Sequence, residues 1–225
     1  MSHYTFRQWC RPIGDLRIPE IMMFLYTMKE DFGCADLYGA NNRPVDMTLE
    51  GLHRVLEKNI HKKFPTLGAS VEFFTIPPRQ RDDDTVRIEI FTGRHPDEIS
   101  IDTYDLSMDG RLVPDFQYLR DSIQIFEPFE ACLEDDENEY RLDAFERQQA
   151  IPKFDKPAII RGFHYLDEFM TRSIGGIDYC INAPAWKVEK FCQGILIQLV
   201  KGVFDSENPA HLKIQREAMD YFGLL

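Results

Sequence analysis

The sequence has no CxxC pair. Its five cysteines, Cys10, Cys34, Cys132, Cys180 and Cys192, are odd in number and widely scattered. That excludes a disulfide framework and makes a structural zinc site an unfavourable reading; it is the usage of reduced thiols. No apolar run approaches the roughly 20 residues a membrane span needs. The longest runs, 21–25 and 194–200, have the lengths of core elements. Residues 1–9 carry an Arg and polar side chains with no continuous apolar stretch, so no signal peptide is read and a cytoplasmic location is expected. Cations are scarce: 26 Lys and Arg stand against 38 Asp and Glu, a formal charge of −12. Phosphate contacts need cations, so nucleic acid is not expected as a direct ligand, whereas a basic partner is favoured. Neither GxGxxG nor Walker spacing occurs. Gly175-Gly176 follows a predicted helix, and phosphate loops follow a strand, so it reads as a helix C-cap and turn.

What is present is core-forming material. Of 225 residues, 44% are hydrophobic and 12% aromatic, which is a globular composition. The length suits one large domain or two small halves packed together, here 1–127 and 128–225. Alternation predicts an opening strand around Tyr4, Phe6 and Gln8. Residues 20–32 read as a helix, apolar nearly all round and therefore buried, closed by Gly33. A second helix, capped by Thr48, runs to Phe64 with Leu52, Val55, Leu56 and Ile60 on one face. Strands are predicted at 71–76, 86–91 and 99–106; the alternation in VRIEIF is clean. A helix follows at 115–126.

In the second half the spacing predicts a helix at 138–149 and a strand at 158–163. A short helix at 167–174 is followed by strands at 177–181, 186–192 and 195–200, with Gly194 turning the last pair. Asn208 and Pro209 open a final helix. The fold class is α+β, antiparallel sheets packed by helices. The shared element order of the two halves suggests a pseudo-repeat.

No catalytic, cofactor or metal site is predicted. His53 and His61 stand two helical turns apart with no carboxylate at a ligand interval. His164 precedes Asp167 in GFHYLDEF, but Asp167 more simply caps the next helix. Cys180 and Cys192 read as core thiols on neighbouring strands. Asp82-Asp83-Asp84 reads as a solvated loop.

One segment stands out. Residues 127–146, EPFEACLEDDENEYRLDAFE, hold nine carboxylates against a single Arg141, interleaved with Phe129, Leu133, Tyr140, Leu142 and Phe145. A purely solvating tail has few such anchors. This mixture can fix a surface in place while presenting negative charge. The expected contact residues are Glu134, Asp135, Asp136, Glu137 and Glu139, with Tyr140 as a packed anchor.

The opening stretch FLYTMKEDFGCADLYG, the stretch FHYLDEFMTRSIGGIDYCINAPAWKVEKFCQGILIQLVKGVF and the closing SENPAHLKIQREAMDYFGLL resemble immunity proteins of bacterial polymorphic toxin and type VI secretion systems. The resemblance implies a non-enzymatic antidote. It would bind a cognate, cytoplasm-acting toxin with a basic surface, such as a nuclease, and block its active site. Two other readings stay open. An adaptor or chaperone for a secreted effector would use a groove lined by Met22, Met23 and Met28. An enzyme with dispersed residues would use His164, Asp167 and Asp178.

Overall fold

The computed structural model describes residues 3–13, 16–63, 65, 68–80, 85–92, 102–109, 116–135 and 156–225. The chain divides into two compact units, Arg7–Glu127 and Met1–Phe6 with Pro128–Leu225. Helices and antiparallel strands build both, an α+β fold.

In the unit Arg7–Glu127 the strand order is β2 (Tyr38–Gly39), β3 (Ala69–Phe74), β4 (Arg87–Thr92), β5 (Asp102–Asp109) and the part of β1 (His3–Cys10) from Arg7 on. The alternation in VRIEIF decides the register. Val71 pairs with Ile90 and Phe73 with Ile88; Ile88 then pairs with Leu106 and Ile90 with Tyr104. All six are buried, so one face of these strands is a continuous apolar layer. The opposite face stacks Glu72, Glu89 and Asp105 in register. Like charges directly opposite one another are unfavourable. Arginines relieve them: Arg87 bonds Glu72 at 3.0 Å and Glu89 at 2.9 Å, and Arg7 reaches Asp105 at 2.8 Å.

Helices α1 (Ile18–Asp31), α2 (Leu49–Lys58) and α3 (Gln117–Phe126) complete this unit. The ring of Phe126 stacks on Tyr104 at 3.7 Å and meets Phe24 of α1 edge-on at 5.1 Å. The all-round burial expected for α1 does not hold. Ile21, Phe24, Leu25 and Met28 are buried, whereas Met23 and Tyr26 are exposed. A 14-residue helix packed against α2 and α3 offers the core only one stripe, whatever its far side carries. Helix α2 starts where expected, with Thr48 Oγ1 accepting from the Gly51 N–H at 3.0 Å. It ends at Lys58, six residues early, because Ile60 leaves the helix to form a β-bridge with Ala69.

In the other unit the order is the part of β1 up to Phe6, then β6 (Glu130–Asp135), β7 (Phe163–Asp167), β9 (Gly194–Gln198) and β8 (Lys187–Phe191). Helices α4 (Glu168–Ser173), α5 (Ile177–Cys180) and α6 (Pro209–Tyr221) accompany it. Three expectations need correction. The strand expected at 158–163 begins only at Phe163, where the backbone pairs with Leu133 on one side and Gln198 on the other. Ile159 and Ile160 are buried but outside the ladder, so burial without pairing produced the strand-like signal. Residues 177–181 are a helical turn and not a strand. The Cys180 and Ile181 N–H groups return to Gly176 and Ile177 at 3.0 Å each, so the three-strand signal expected here is a turn followed by a hairpin. Finally, the left-handed residue of that hairpin is Cys192, at φ 48°, not Gly194. Gly194 is required for another reason. A Cβ there would overlap the Leu166 carbonyl oxygen and stand 2.8 Å from the Asp167 Cα.

Candidate interaction surface

The acidic segment begins as sheet. Glu127, at φ 46°, closes α3 by donating its N–H to the Ile123 carbonyl at 2.9 Å. Phe129 is buried, and its carbonyl accepts from the Asp167 N–H at 3.0 Å. Residues 130–133 then pair along β7, from Glu130↔Leu166 to Leu133↔Phe163. This strand was not foreseen. Its signal is the run Phe129, Ala131, Leu133 at period two, hidden beneath the charges.

The segment's expected contact residues therefore part company. Asp135 is 2% exposed, and its Oδ2 accepts the Ser206 N–H at 2.8 Å. Its charge is spent on capping a backbone donor, so its expected place in the rim is withdrawn. Glu134 occupies a β6 backbone position. Asp136, Glu137, Glu139 and Tyr140 lie outside the described residues, as does the helix expected at 138–149.

His164 sits in the middle of β7 and is fully buried. Its Nδ1 accepts the Arg161 N–H at 3.1 Å. That leaves the ring proton on Nε2, which faces Glu130 Oε1 at 2.9 Å. Both nitrogens are committed; Glu130 is the diagonal neighbour on β6, two residues before Cys132, which pairs with His164. Asp167 turns to α4 instead, accepting the Met170 N–H at 2.8 Å as its N-cap. Asp178 pairs with Lys190 at 3.5 Å on the surface. The three residues of the enzyme reading thus serve three separate structural contacts.

Another buried polar cluster lies in the unit Arg7–Glu127. Arg17 caps α1 in a left-handed conformation, φ 45°. Its guanidinium meets Asp102 at 3.3 Å, the Phe126 carbonyl at 3.2 Å and the Arg11 carbonyl at 2.8 Å. A buried pair broken on one side is costly, so this cluster pins three chain segments together. Burial pushes the neighbouring Cys10 thiol and Tyr104 phenol well above their ordinary pKa values.

The remaining candidates resolve individually. Cys180 is buried on α5, with its thiol pushed up by burial to about 11. Cys192 is exposed at the hairpin tip, correcting its reading as a core thiol. His53 pairs with Glu57, at 3.7 Å, one turn along α2. Asp82, Asp83 and Asp84 are outside the described residues. Among the described residues no group of three or more His, Cys, Asp or Glu is placed to hold a metal ion, and no helix is long and apolar enough to cross a membrane. The methionines of the adaptor reading part company: Met28 is in the core, whereas Met23 is 51% exposed.

The second unit also exposes large apolar side chains. Tyr179 and Ile181, on and just after α5, and Trp186, just before β8, are 41%, 37% and 51% exposed. Tyr179 is held rigidly. Its ring stacks on Tyr221 at 4.4 Å, and each hydroxyl donates to the other residue's carbonyl, at 2.6 and 3.0 Å. Large, pre-ordered aromatics on a surface are the side chains that anchor protein interfaces.

No family model matches the sequence, and no curated protein matches it. Among solved structures, a T6SS protein of Pseudomonas aeruginosa, PA0821, shares the fold with a TM-score of 0.64 at 13% sequence identity. The match covers 99% of this chain and 73% of that one. At that identity the likeness is one of fold.

Proposed function

We propose that this protein is an immunity protein. It binds a cognate bacterial toxin in the cytoplasm and blocks the toxin's active site, with no enzymatic activity of its own. The observation that carries this reading is the fold shared over nearly the whole chain with a type VI secretion protein. The chain's chemistry agrees with it. A charge of −12 suits a basic target such as a nuclease. Glu134, Asp136, Glu137 and Glu139, with Tyr140, are the docking residues in this reading; β6 includes the first of them and ends at Asp135. The burial of Met28 counts against the adaptor reading, and the committed ring nitrogens of His164 count against the enzyme reading.

The test is protection. The product of the gene beside this chain's is expressed from an inducible promoter, with and without this protein. Growth restored by co-expression, and lost when the chain is unfolded by mutation, is the expected result. Unchanged killing, or a neighbouring gene whose product is not toxic, refutes the reading.

A further inference from the structure

Strand β8 lies at the end of its sheet's order and has β9 as its one neighbour among the described strands. Phe191 and Gly194 close a two-residue hairpin around Cys192 and Gln193. In such a hairpin the closing pair is hydrogen-bonded, and bonded pairs alternate from there. Glu189↔Leu196 and Lys187↔Gln198 are therefore the bonded pairs. The N–H and C=O groups of Val188 and Lys190 point the other way, along the open edge. An edge of this kind is a template for another strand.

The residues along that edge say which strand fits. The sequence from Trp186 to Lys190 is W-K-V-E-K. Set antiparallel against its own copy and centred on Val188, it is self-complementary. Val188 meets Val188, and Lys187 meets the second copy's Glu189. Trp186 meets the second copy's Lys190, an ammonium over an indole face. Val188 is also the residue whose backbone groups face outward, so the centre of symmetry coincides with a bonded pair. A register one residue away, centred on Glu189, would put two carboxylates directly opposite each other.

The side chains are already arranged for this. Lys187 and Glu189 pair at 2.9 Å on one face of β8, with side chains 46% and 29% exposed. Two copies would join these pairs into a four-charge cluster. On the other face Lys190 leans to Asp178 of α5 at 3.5 Å, beside the exposed Tyr179 and Ile181. These apolar groups and Trp186 would gain cover from the second copy.

We infer that β8 is a dimerisation edge. Two copies of this chain join their β8 strands antiparallel about a two-fold axis through Val188, with reciprocal Lys187–Glu189 and Trp186–Lys190 contacts. This stands apart from toxin binding.

The test is sedimentation velocity over a concentration series to about 100 µM, a range that captures micromolar dimers. The unaltered protein is expected to dimerise. Lys187→Glu and Glu189→Lys each place like charges opposite one another twice per dimer. Each should weaken self-association by roughly tenfold. Mixing the two variants restores both opposite-charge contacts, so the mixture should dimerise where neither variant does alone. Trp186→Ala should weaken the dimer without touching those charges. Circular dichroism confirms that each variant is folded. A wild type that stays monomeric, a dimer indifferent to both charge reversals, or a mixture that fails to re-associate overturns the inference.

Discussion

His164→Ala separates a structural histidine from a catalytic one. The substitution removes a fully buried ring in the centre of β7, flanked in register by Cys132 and Ile197. Two losses follow. The cavity left by a buried side chain of this size costs about 2–4 kcal/mol. The Arg161 N–H, which now donates to Nδ1, is left without its acceptor in the interior, and Glu130 loses its donor. Orphaning a buried donor costs about 1–3 kcal/mol. Some of this overlaps, because water can enter the cavity and serve the orphaned groups, so a total of about 3–4 kcal/mol is expected. His164→Asn retains an acceptor near the Nδ1 position and should fall between the two. Urea titration followed by tryptophan fluorescence measures all three proteins. A His164→Ala protein within about 0.5 kcal/mol of wild type, the ordinary scatter of surface substitutions, would refute the structural role argued for the ring. Where the variant remains folded, its toxin binding should be unchanged; selective loss of function in a folded variant would also refute it.

The other perturbations probe separate claims. Gly194→Ala should destabilise by about 3 kcal/mol, because its Cβ would overlap backbone of β7, whereas Cys192→Asn at the left-handed turn position should be neutral or stabilise by up to about 1 kcal/mol. Thermal melts of the pair decide whether the hairpin glycine serves close approach or the turn. The Cys180 thiol, raised from 9.0 to about 11, binds its proton more tightly in the folded chain, so stability is intact below pH 9 and falls as pH rises through 11. The loss should be about 1–3 kcal/mol, read from urea midpoints at pH 8 and pH 10.5 and reduced in Cys180→Ala. Reversing Glu134, Asp136, Glu137 and Glu139 to Lys should slow association with the toxin about tenfold at low salt, with little change in dissociation. Stopped-flow measurement at two salt concentrations checks this, and an unchanged rate removes the acidic segment from the interface.

Local chemistry was legible wherever a side chain acts on its own chain segment. Thr48, Asp167 and Asn208 cap the helices that follow them, each through a side-chain oxygen accepting an N–H two or three residues on. The VRIEIF alternation reports its own pleat, because one face of β4 is apolar and the other charged. What could not be read depends on distant partners. Residues 177–180 form a helical turn whose tyrosine stacks on α6, more than 40 positions away, and four residues show too little periodicity to declare a helix. The strand at 130–135 hides because central strands are sorted by burial, and its carboxylates mask the apolar alternation. The candidate site misled for the same reason. Charge density suggested a uniform exposed surface, yet Asp135 is consumed by the Ser206 amide 71 residues later. Nothing local to EDDENE distinguishes that carboxylate from its neighbours. The β8 edge, by contrast, is written in five consecutive residues, but its meaning depends on knowing that β8 ends the sheet order.

The most direct test of the account is an inhibition titration. The purified product of the gene next to this chain's, once shown to be toxic, is assayed on its own substrate while this protein is added in increments. An antidote that occludes the active site should abolish turnover at one chain per toxin molecule, with a sharp equivalence point at toxin concentrations well above the dissociation constant. Full toxin activity at saturating excess of folded protein would contradict the account.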